Sequence, residues 1–177
     1  MAYVLLSVSG HDRPGIVRDL TEALLHVHAN IEDSTMTALR GRFTMMVIVR
    51  LPEANGLTGL KAAMAELERR TGLTVQSQQI PDAEAEVIPV EPDLILTVSG
   101  GDKPGIVHAV TAALADEGAS VVDMSTLARD SEQGELYMMA LEVSYSGDVE
   151  HLRQVMSKVA EDVSVDIEVH ELDGQTL

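Results

Sequence analysis

The sequence contains two copies of one pattern, and this repeat constrains the fold more than any other feature. Residues 7–17 read Ser-Val-Ser-Gly-His-Asp-Arg-Pro-Gly-Ile-Val, and residues 97–107 read Thr-Val-Ser-Gly-Gly-Asp-Lys-Pro-Gly-Ile-Val, at an offset of 90. The stretches 29–34 and 119–124 match at the same offset. An ordered series of matches at one period indicates two similar structural units in tandem.

The offset between the copies grows further along the chain. Met45-Met46 aligns with Met138-Met139 at an offset of 93, which predicts a three-residue insertion in the second copy around Asp130 to Glu135. These methionines, like Met36, fall in predicted strands. Because only 2% of the residues are aromatic, we expect the methionines to help fill aliphatic cores.

The repeat divides the chain into a first domain at residues 1–81 and a second at residues 93–173. The segment 82–92 between them is acidic and rich in proline. Prolines stiffen a chain and like charges extend it, so we predict that this segment is an extended linker. An edge strand around Val87 to Val90 is the alternative.

Both copies show the same order of predicted elements. Apolar residues alternate in the strand segments and recur at helical spacing in the helix segments. The first copy reads strand, helix, strand, strand, helix, strand, at residues 3–9, 14–28, 30 onward, 43–51, 57–71 and 73–80. The second repeats this order at residues 94–98, 106–117, 120–129, 136–144, 149–159 and 163–169. This βαββαβ order predicts α+β, ferredoxin-like domains: antiparallel sheets with helices on one face. The other face must be covered by the second copy, covered by another chain, or left polar.

The motif Gly-x-Asp-Arg/Lys-Pro-Gly-Ile-Val, at residues 10–17 and 100–107, resembles that of the ACT domain family. It is most similar to the subtype in glycine-cleavage repressor-like proteins, formyltetrahydrofolate deformylases and nitrogen-sensing uridylyltransferases. A tandem pair most resembles the glycine-cleavage transcriptional repressor group. The resemblance extends from Ala2 to about Leu172. It implies a regulatory protein that binds an amino acid, of the glycine or serine class, at this loop. It also implies that the ligand contacts the turn after the first helix, often across a domain interface.

The loop itself has the chemistry of an anion site. A helix N-terminus presents unpaired amide groups and a partial positive charge. Gly15 and Gly105 let a ligand approach the backbone, and Arg13 and Lys103 add charge. With the family's contacts included, the candidate ligand-binding residues are Gly10, His11, Asp12, Arg13, Pro14, Gly15, Ile16, Asn30 and Ile31 in the first copy, and Gly100, Asp102, Lys103, Pro104, Gly105, Ile106, Ser120 and Val121 in the second.

Helix capping is the competing explanation of the same motif. Asp12 would be a natural N-cap, as would Asp102, and proline is favoured at the first helical position. A capping aspartate would compete with a bound carboxylate for the same amides. The first copy is the better candidate, because His11 and Asn30 offer more polar groups than Gly101 and Ser120.

The composition excludes several kinds of function. The net charge is −17, from 12 basic and 29 acidic residues, and this disfavours direct binding of nucleic acid, which depends on basic side chains. There is no cysteine, so disulfides and thiolate chemistry are absent. The histidines are poorly spaced for metal binding, and no catalytic motif is present. We expect no metal, no cofactor and no enzymatic activity.

These observations predict an amino-acid-sensing regulatory protein that acts on a partner protein rather than directly on DNA. We expect it to be cytoplasmic, because the sequence shows neither a signal peptide nor a membrane-spanning segment. A homodimer is expected, because each domain leaves one sheet face to cover. The alternative function is a structural or protein-interaction module that binds no small molecule.

Overall fold

The computed structural model describes residues 2–52, 56–85, 87–131 and 134–172. The chain forms two compact units, Met1–Ile88 and Pro89–Leu177. Within the described residues, no helix is both long enough and apolar enough to cross a lipid bilayer.

The first unit is a four-stranded antiparallel sheet with two helices packed on one face. The strand order in the sheet is β2-β3-β1-β4. Alternating burial along β1 and β3 shows that one face of each strand is apolar and buried. The elements are β1 (Ala2–His11), α1 (Ile16–His26), β2 (Asn30–Leu39), β3 (Arg42–Leu51), α2 (Gly56–Thr71) and β4 (Thr74–Ile80).

The second unit repeats this architecture, with the strand order β6-β7-β5-β8. The predicted fold of two ferredoxin-like βαββαβ units is therefore confirmed. Element boundaries differ from the predicted ones by only a few residues. The elements are β5 (Leu94–Gly101), α4 (Ile106–Asp116), β6 (Ser120–Ser131), β7 (Gly134–Ser144), α5 (Val149–Val163) and β8 (Val165–Glu171).

The segment between the units differs locally from the extended chain that its charge predicts. Asp82–Ala85 form one short helical turn, α3, in which the carbonyl of Pro81 accepts hydrogen bonds from the amides of Glu84 and Ala85. No strand forms at residues 87–90, so the alternative of an edge strand is wrong. Glu86, within the predicted linker, lies outside the described residues.

The two cores use matching positions. Leu6, Leu20 and Leu60 are fully buried in the first unit, and Leu96 and Leu152 are fully buried in the second. Each set joins the inner face of a sheet to the apolar sides of two helices. The helices are therefore fixed against their sheet by aliphatic packing that both copies share.

The strand register shows that the insertion in the second copy is four residues long, not three. Val8 pairs with Met45, and the equivalent Val98 pairs with Met139, which gives an offset of 94 for this strand. Met45 and Met139 are both buried, as equivalent core positions should be. The predicted offset of 93 is wrong, because it would align each core-facing residue of β3 with an outward-facing residue of β7. Part of the insertion, residues 132–133, lies outside the described residues.

Three of the methionines predicted to fill the cores are instead exposed. Met36, Met46 and Met138 have exposed fractions of 52%, 50% and 48%. Met46 and Met138 point to the sheet face opposite the helices, and Met36 lies on the edge strand β2. A period-2 pattern identifies the two faces of a strand but does not tell which one other elements cover.

Candidate functional site

The loop between β1 and α1 ends in a glycine that the backbone conformation requires. Gly15 has φ 87° and Gly105 has φ 97°, both in the left-handed region that other residues seldom adopt. Each glycine is the N-cap, and the helix begins one residue later, at Ile16 or Ile106. The prediction that Pro14 opens the helix is therefore wrong by two positions.

The aspartates of the motif do not cap the helices. The N-cap residue of α1 and of α4 is a glycine, and among the described residues no side chain hydrogen-bonds to the first amides of either helix. The amide of Asp12 donates to the carbonyl of Gly41 at 2.9 Å, which holds this residue against the β2–β3 turn. Capping was predicted on the assumption that the helix starts at Pro14. Because it starts later, the carboxylates of Asp12 and Asp102 do not occupy its leading amides.

The amides at the start of each helix precede the first helical hydrogen bond. That bond runs from the Asp19 amide to the Gly15 carbonyl in α1, and from the Ala109 amide to the Gly105 carbonyl in α4, both at 2.9 Å. The side chain of Ile16 is buried, so only its backbone faces the loop. The opening turn of the helix therefore presents N–H donors, as the sequence predicts for an anion site.

Other glycines of the motif have a packing role. A Cβ atom on Gly10 would lie 2.6 Å from Leu73 Cδ2, and one on Gly100 would lie 2.9 Å from Val165 Cγ1. Both glycines lie at the end of a central strand, where the adjacent edge strand begins. Close packing is sufficient to explain why glycine occupies these two positions.

The structure does not bring the two predicted parts of the site together within one domain. Gly10 pairs with Phe43, whereas Asn30 pairs with Arg50, which itself pairs with Tyr3. The loop and the start of β2 thus lie at opposite ends of the sheet, about 20 Å apart at the usual rise per residue. Ser120 and Val121 occupy the same far end in the second domain. A small amino acid at the loop cannot also touch Asn30 and Ile31 of the same domain.

Asn30 already has a partner. Its side-chain Nδ2 donates to Glu32 Oε1 at 2.8 Å, and Arg50 Nε donates to the same oxygen at 2.6 Å. These two hydrogen bonds hold the pKa of Glu32 below its usual range. Asn30 therefore supports an ion pair on the sheet edge in this structure.

A cluster of charged residues lies beside the first loop and was not predicted from the sequence. Asp19, in the first turn of α1, is buried, with a side chain only 11% exposed. Its Oδ2 accepts from Arg13 Nη2 at 2.7 Å, and its Oδ1 accepts from Arg18 Nη2 at 2.8 Å and Arg18 Nε at 3.2 Å. Hydrogen bonds from Arg13 and then Arg18 lower the pKa of Asp19, so it is ionised at neutral pH.

This cluster forms one wall of a surface groove. The groove encloses about 880 Å³ beside α1 and the C-terminal end of α2. Its lining residues are Arg13, Arg18, Asp19, Thr21, Glu22, Leu25, Arg70 and Thr71.

The second domain lacks the cluster. At the offset of 90, His108 and Ala109 replace Arg18 and Asp19, and Lys103 replaces Arg13. The helix α5 aligns with α2 at an offset of 92, because buried Met64 corresponds to buried Met156. The signal that could have revealed the cluster is this difference between the copies.

The second loop has its own feature in Tyr137, which replaces Phe43 at the equivalent core position. Its hydroxyl donates to Met139 Sδ at 3.7 Å, a weak contact. Burial, and to a smaller extent the nearby charge of Asp102, raises the pKa of Tyr137. The phenol is therefore neutral at physiological pH and gives the second loop no charge.

The described residues include no group of three or more histidine or acidic side chains placed to hold a metal ion. The charged side chains beside the first loop, Arg13, Arg18 and Asp19, pair with one another.

Comparison with known proteins agrees with this fold. The family model described as the ACT domain matches residues 2–78 and 92–170, one match in each unit. UPF0237 proteins of Methanopyrus kandleri and Methanococcus maripaludis are 42% and 32% identical over 59 and 79 residues. These matches cover 33% and 44% of this chain and 66% and 88% of the relatives, so each relative corresponds to about half of this chain.

Two solved structures match almost the whole tandem. A crystal structure of an unknown protein from Galdieria sulphuraria has a TM-score of 0.76 and 31% identity, covering 97% of this chain and 99% of that one. A protein provisionally named a glycine cleavage system transcriptional repressor has a TM-score of 0.75 and 15% identity, covering 98% of both chains. At that identity, the second likeness shows the fold alone.

Proposed function

The chain belongs to the ACT domain family, with one domain in each half, and from this premise we propose that it is a regulatory protein that senses a small amino acid. The observation that carries the proposal is the opening turn of α1 and α4. In both, a left-handed glycine precedes amides that no side chain caps. A ligand carboxylate at these amides would interact favourably with the helix dipole.

The proposed site is the loop of each domain, with the first loop as the stronger one. Arg13 and Lys103 lie beside the two opening turns and would add a cation for the carboxylate. Glycine and serine are the ligands that the glycine-cleavage resemblance favours. The opposite positions of Gly10 and Asn30 in the sheet mean that a second subunit would have to supply residues such as Asn30 and Ile31.

We propose that the protein acts through a partner protein in the cytoplasm, without catalysis and without direct contact to nucleic acid. The net charge of −17 supports this, because an acidic surface repels phosphate backbones. A ligand that binds two arrangements of the protein with different affinity would shift their populations, and the partner would respond to that shift.

Isothermal titration of the full chain with each of the twenty amino acids tests the proposal. We expect saturable heat with glycine or serine, and a higher melting temperature in their presence, by mass action. Gly15→Ala should weaken binding, because a Cβ atom there would lie 3.2 Å from Arg18 Nη2 and would strain the turn. Gly72→Ala is the matched control, since Gly72 has φ 73° and no atom within 4 Å of an added Cβ. Absence of heat with every amino acid would refute the sensor.

The exposed sheet faces favour a second candidate function, a protein-interaction module. Met46 in the first domain, and Leu127, Leu136 and Met138 in the second, are 41–50% exposed on the faces opposite the helices. Flexible methionines are typical of protein-binding surfaces. Sedimentation equilibrium tests the expected homodimer: Met138→Lys should weaken self-association, and unchanged monomeric behaviour in both proteins would argue against it.

A further inference from the structure

The groove beside α1 in the first domain carries an inference that goes beyond amino-acid sensing at the loop. We propose that this groove is a second ligand site, for a small acid with a carboxylate or phosphate group, bound by Arg18 and Arg70. Asp19 is its positioning residue.

Asp19 holds two guanidinium groups close together. It bridges Arg13 and Arg18, and both groups lie over Gly15: an added Cβ there would be 3.2 Å from Arg18 Nη2 and 3.9 Å from Arg13 Nη1. The two guanidinium groups and the single carboxylate leave a net positive charge, which favours the approach of an anion. Because Asp19 is buried and fixes their position, less side-chain entropy is lost when a ligand binds.

Arg18 and Arg70 retain donors for a ligand. Arg18 uses Nε and Nη2 to hold Asp19, and its Nη1 has no partner within the described ranges. Arg70 makes one ion pair within the described ranges, to Glu22 Oε2 at 3.6 Å, which is too long for a hydrogen bond. Their side chains are 78% and 50% exposed. Guanidinium groups with free N–H pairs bind carboxylate and phosphate in a bidentate manner.

The charge balance of the groove is opposite to that of the whole chain. Three arginines line it and only two carboxylates, Asp19 and Glu22, do so. The chain as a whole has 29 acidic and only 12 basic residues. A local excess of positive charge within a strongly acidic protein selects a small anion rather than an extended polyanion, which the rest of the surface would repel.

The second domain shows that folding does not require this cluster. Helix α4 packs on its sheet through Ile106, Val110 and Leu114 with Ala109 at the position of Asp19. At the offset of 92, Asp162 replaces Arg70 and reverses its charge. The same fold therefore forms without the buried carboxylate and its arginines, so a role in binding accounts for them better than a role in folding.

The size of the groove is compatible with a small ligand. A volume of about 880 Å³ accommodates a small organic acid and is within the range of small-molecule sites. Carboxylate and phosphate each present two neighbouring oxygens, which a guanidinium group can bind with two parallel hydrogen bonds. Inorganic phosphate and succinate, titrated separately into the full chain, distinguish the two sources of this chemistry.

The experiment is isothermal titration of each probe at constant ionic strength, with sodium chloride as the reference salt. We expect saturable binding of phosphate, succinate or both by the parent chain. The double variant Arg18→Ala/Arg70→Ala should weaken it at least tenfold. Arg69→Ala is the matched control, because Arg69 is an exposed neighbour paired with Glu66 outside the groove, and it should leave the affinity unchanged.

The role of Asp19 has its own readout. Asp19→Asn should weaken probe binding while circular dichroism shows a folded protein, and Asp19→Glu should restore part of the affinity. The exposed arginine variants do not depend on the stability of Asp19→Asn, so the site stays testable if that variant fails to fold. Equal binding by the parent and the double variant, or no binding of either probe by the parent, would overturn the proposal.

The result is separable from the sensor proposal. If glycine or serine binds the parent and the double variant equally, while neither phosphate nor succinate binds the parent, the groove proposal fails and the loop sensor stands. If the probes bind and no amino acid does, the sensor fails and the groove stands.

Discussion

The two domains share an architecture but differ in the charges that they place on it. Both have the same strand order, the same left-handed glycine before the first helix, and aliphatic cores at matching positions. Only the first has a buried carboxylate that joins two arginines at the start of that helix. The shared features are therefore enough to form the fold, and the features of one copy alone are candidates for a function that the other copy does not have.

The largest effect should come from the shared core. Leu6→Ala and Leu96→Ala remove equivalent, fully buried side chains, and each should cost about 2–5 kcal/mol in the free energy of unfolding. Urea denaturation followed by circular dichroism measures both. Leu39→Ala, at a position 68% exposed, is the control and should change stability by less than about 0.5 kcal/mol. Strongly unequal losses at the paired sites would show that the two cores are not equivalent.

The turn glycines should have the next largest effect, and Gly15→Ala should destabilise at least as much as Gly105→Ala, because only its Cβ would meet a neighbouring side chain. Gly15→Ala and Gly105→Ala force a Cβ into the left-handed region and should each destabilise by about 1–2 kcal/mol. Gly59→Ala gives the opposite sign: this glycine lies inside α2, where alanine is the better helix former by about 1 kcal/mol. Thermal unfolding of the three variants checks the signs, and a neutral Gly15→Ala would contradict the turn geometry.

A smaller effect on stability, which depends on pH, should come from Asp19, because the second domain has no equivalent carboxylate. Hydrogen bonds from Arg13 and Arg18 depress the pKa of Asp19 below 3.8, so its contribution is present above that pH. It is lost as the pH falls below 3.8 toward the lower pKa of the folded state. The parent should therefore melt a few degrees above Asp19→Asn at neutral pH, and the gap should close in acid.

The titration of Glu32 must be separated from that of Asp19, because Asn30 and Arg50 depress the pKa of Glu32 in the same domain. Melting temperatures of Asp19→Asn, Glu32→Gln and the double variant, measured from pH 7 to pH 3, separate the two carboxyls. A gap between the parent and Asp19→Asn that stays constant to pH 3 would show that ionisation of Asp19 is not its cause.

The smallest effect should come from transplanting the cluster. His108→Arg with Ala109→Asp introduces an arginine and a carboxylate at the start of α4, and stability should stay within about 1 kcal/mol of the parent. Ala109→Asp alone should be the less stable, since its carboxylate would lack that arginine. NMR titration of the introduced carboxyl reads out pairing directly, and an ordinary aspartate pKa in the double variant would mean that the second domain cannot form the pair.

Much of the fold could be predicted because each strand and helix pattern occurs twice in the sequence, once in each copy. Alternation in residues 3–9 and helical spacing after Ile16 fixed the strand and helix order in both copies. The offset of the third strand was misjudged because Met45-Met46 and Met138-Met139 are adjacent apolar pairs, and either residue of a pair fits either face. Hydrogen-bonded register decides between them, and sequence does not contain it.

The candidate site was less predictable than the fold. Asp12 was assigned to capping because the helix was expected to begin at Pro14, and a shift of two residues removes that role. The Arg13–Asp19–Arg18 cluster joins a loop to a helix turn, which only the folded chain brings together. Comparing Arg18-Asp19 with His108-Ala109 in an otherwise matching helix would have singled out the pair.

The longer β6–β7 hairpin shows that a hairpin of this fold can be extended without any change in the core. Relative to β2 and β3, each arm gains two residues at its tip, and the pairing below, such as Thr126 with Met139, is kept. Growth in equal steps on both arms leaves every deeper side chain on its original face. Insertions can thus change the length of the hairpin independently of the core. Designed extensions of β2 and β3 should likewise add the same number of residues to both strands.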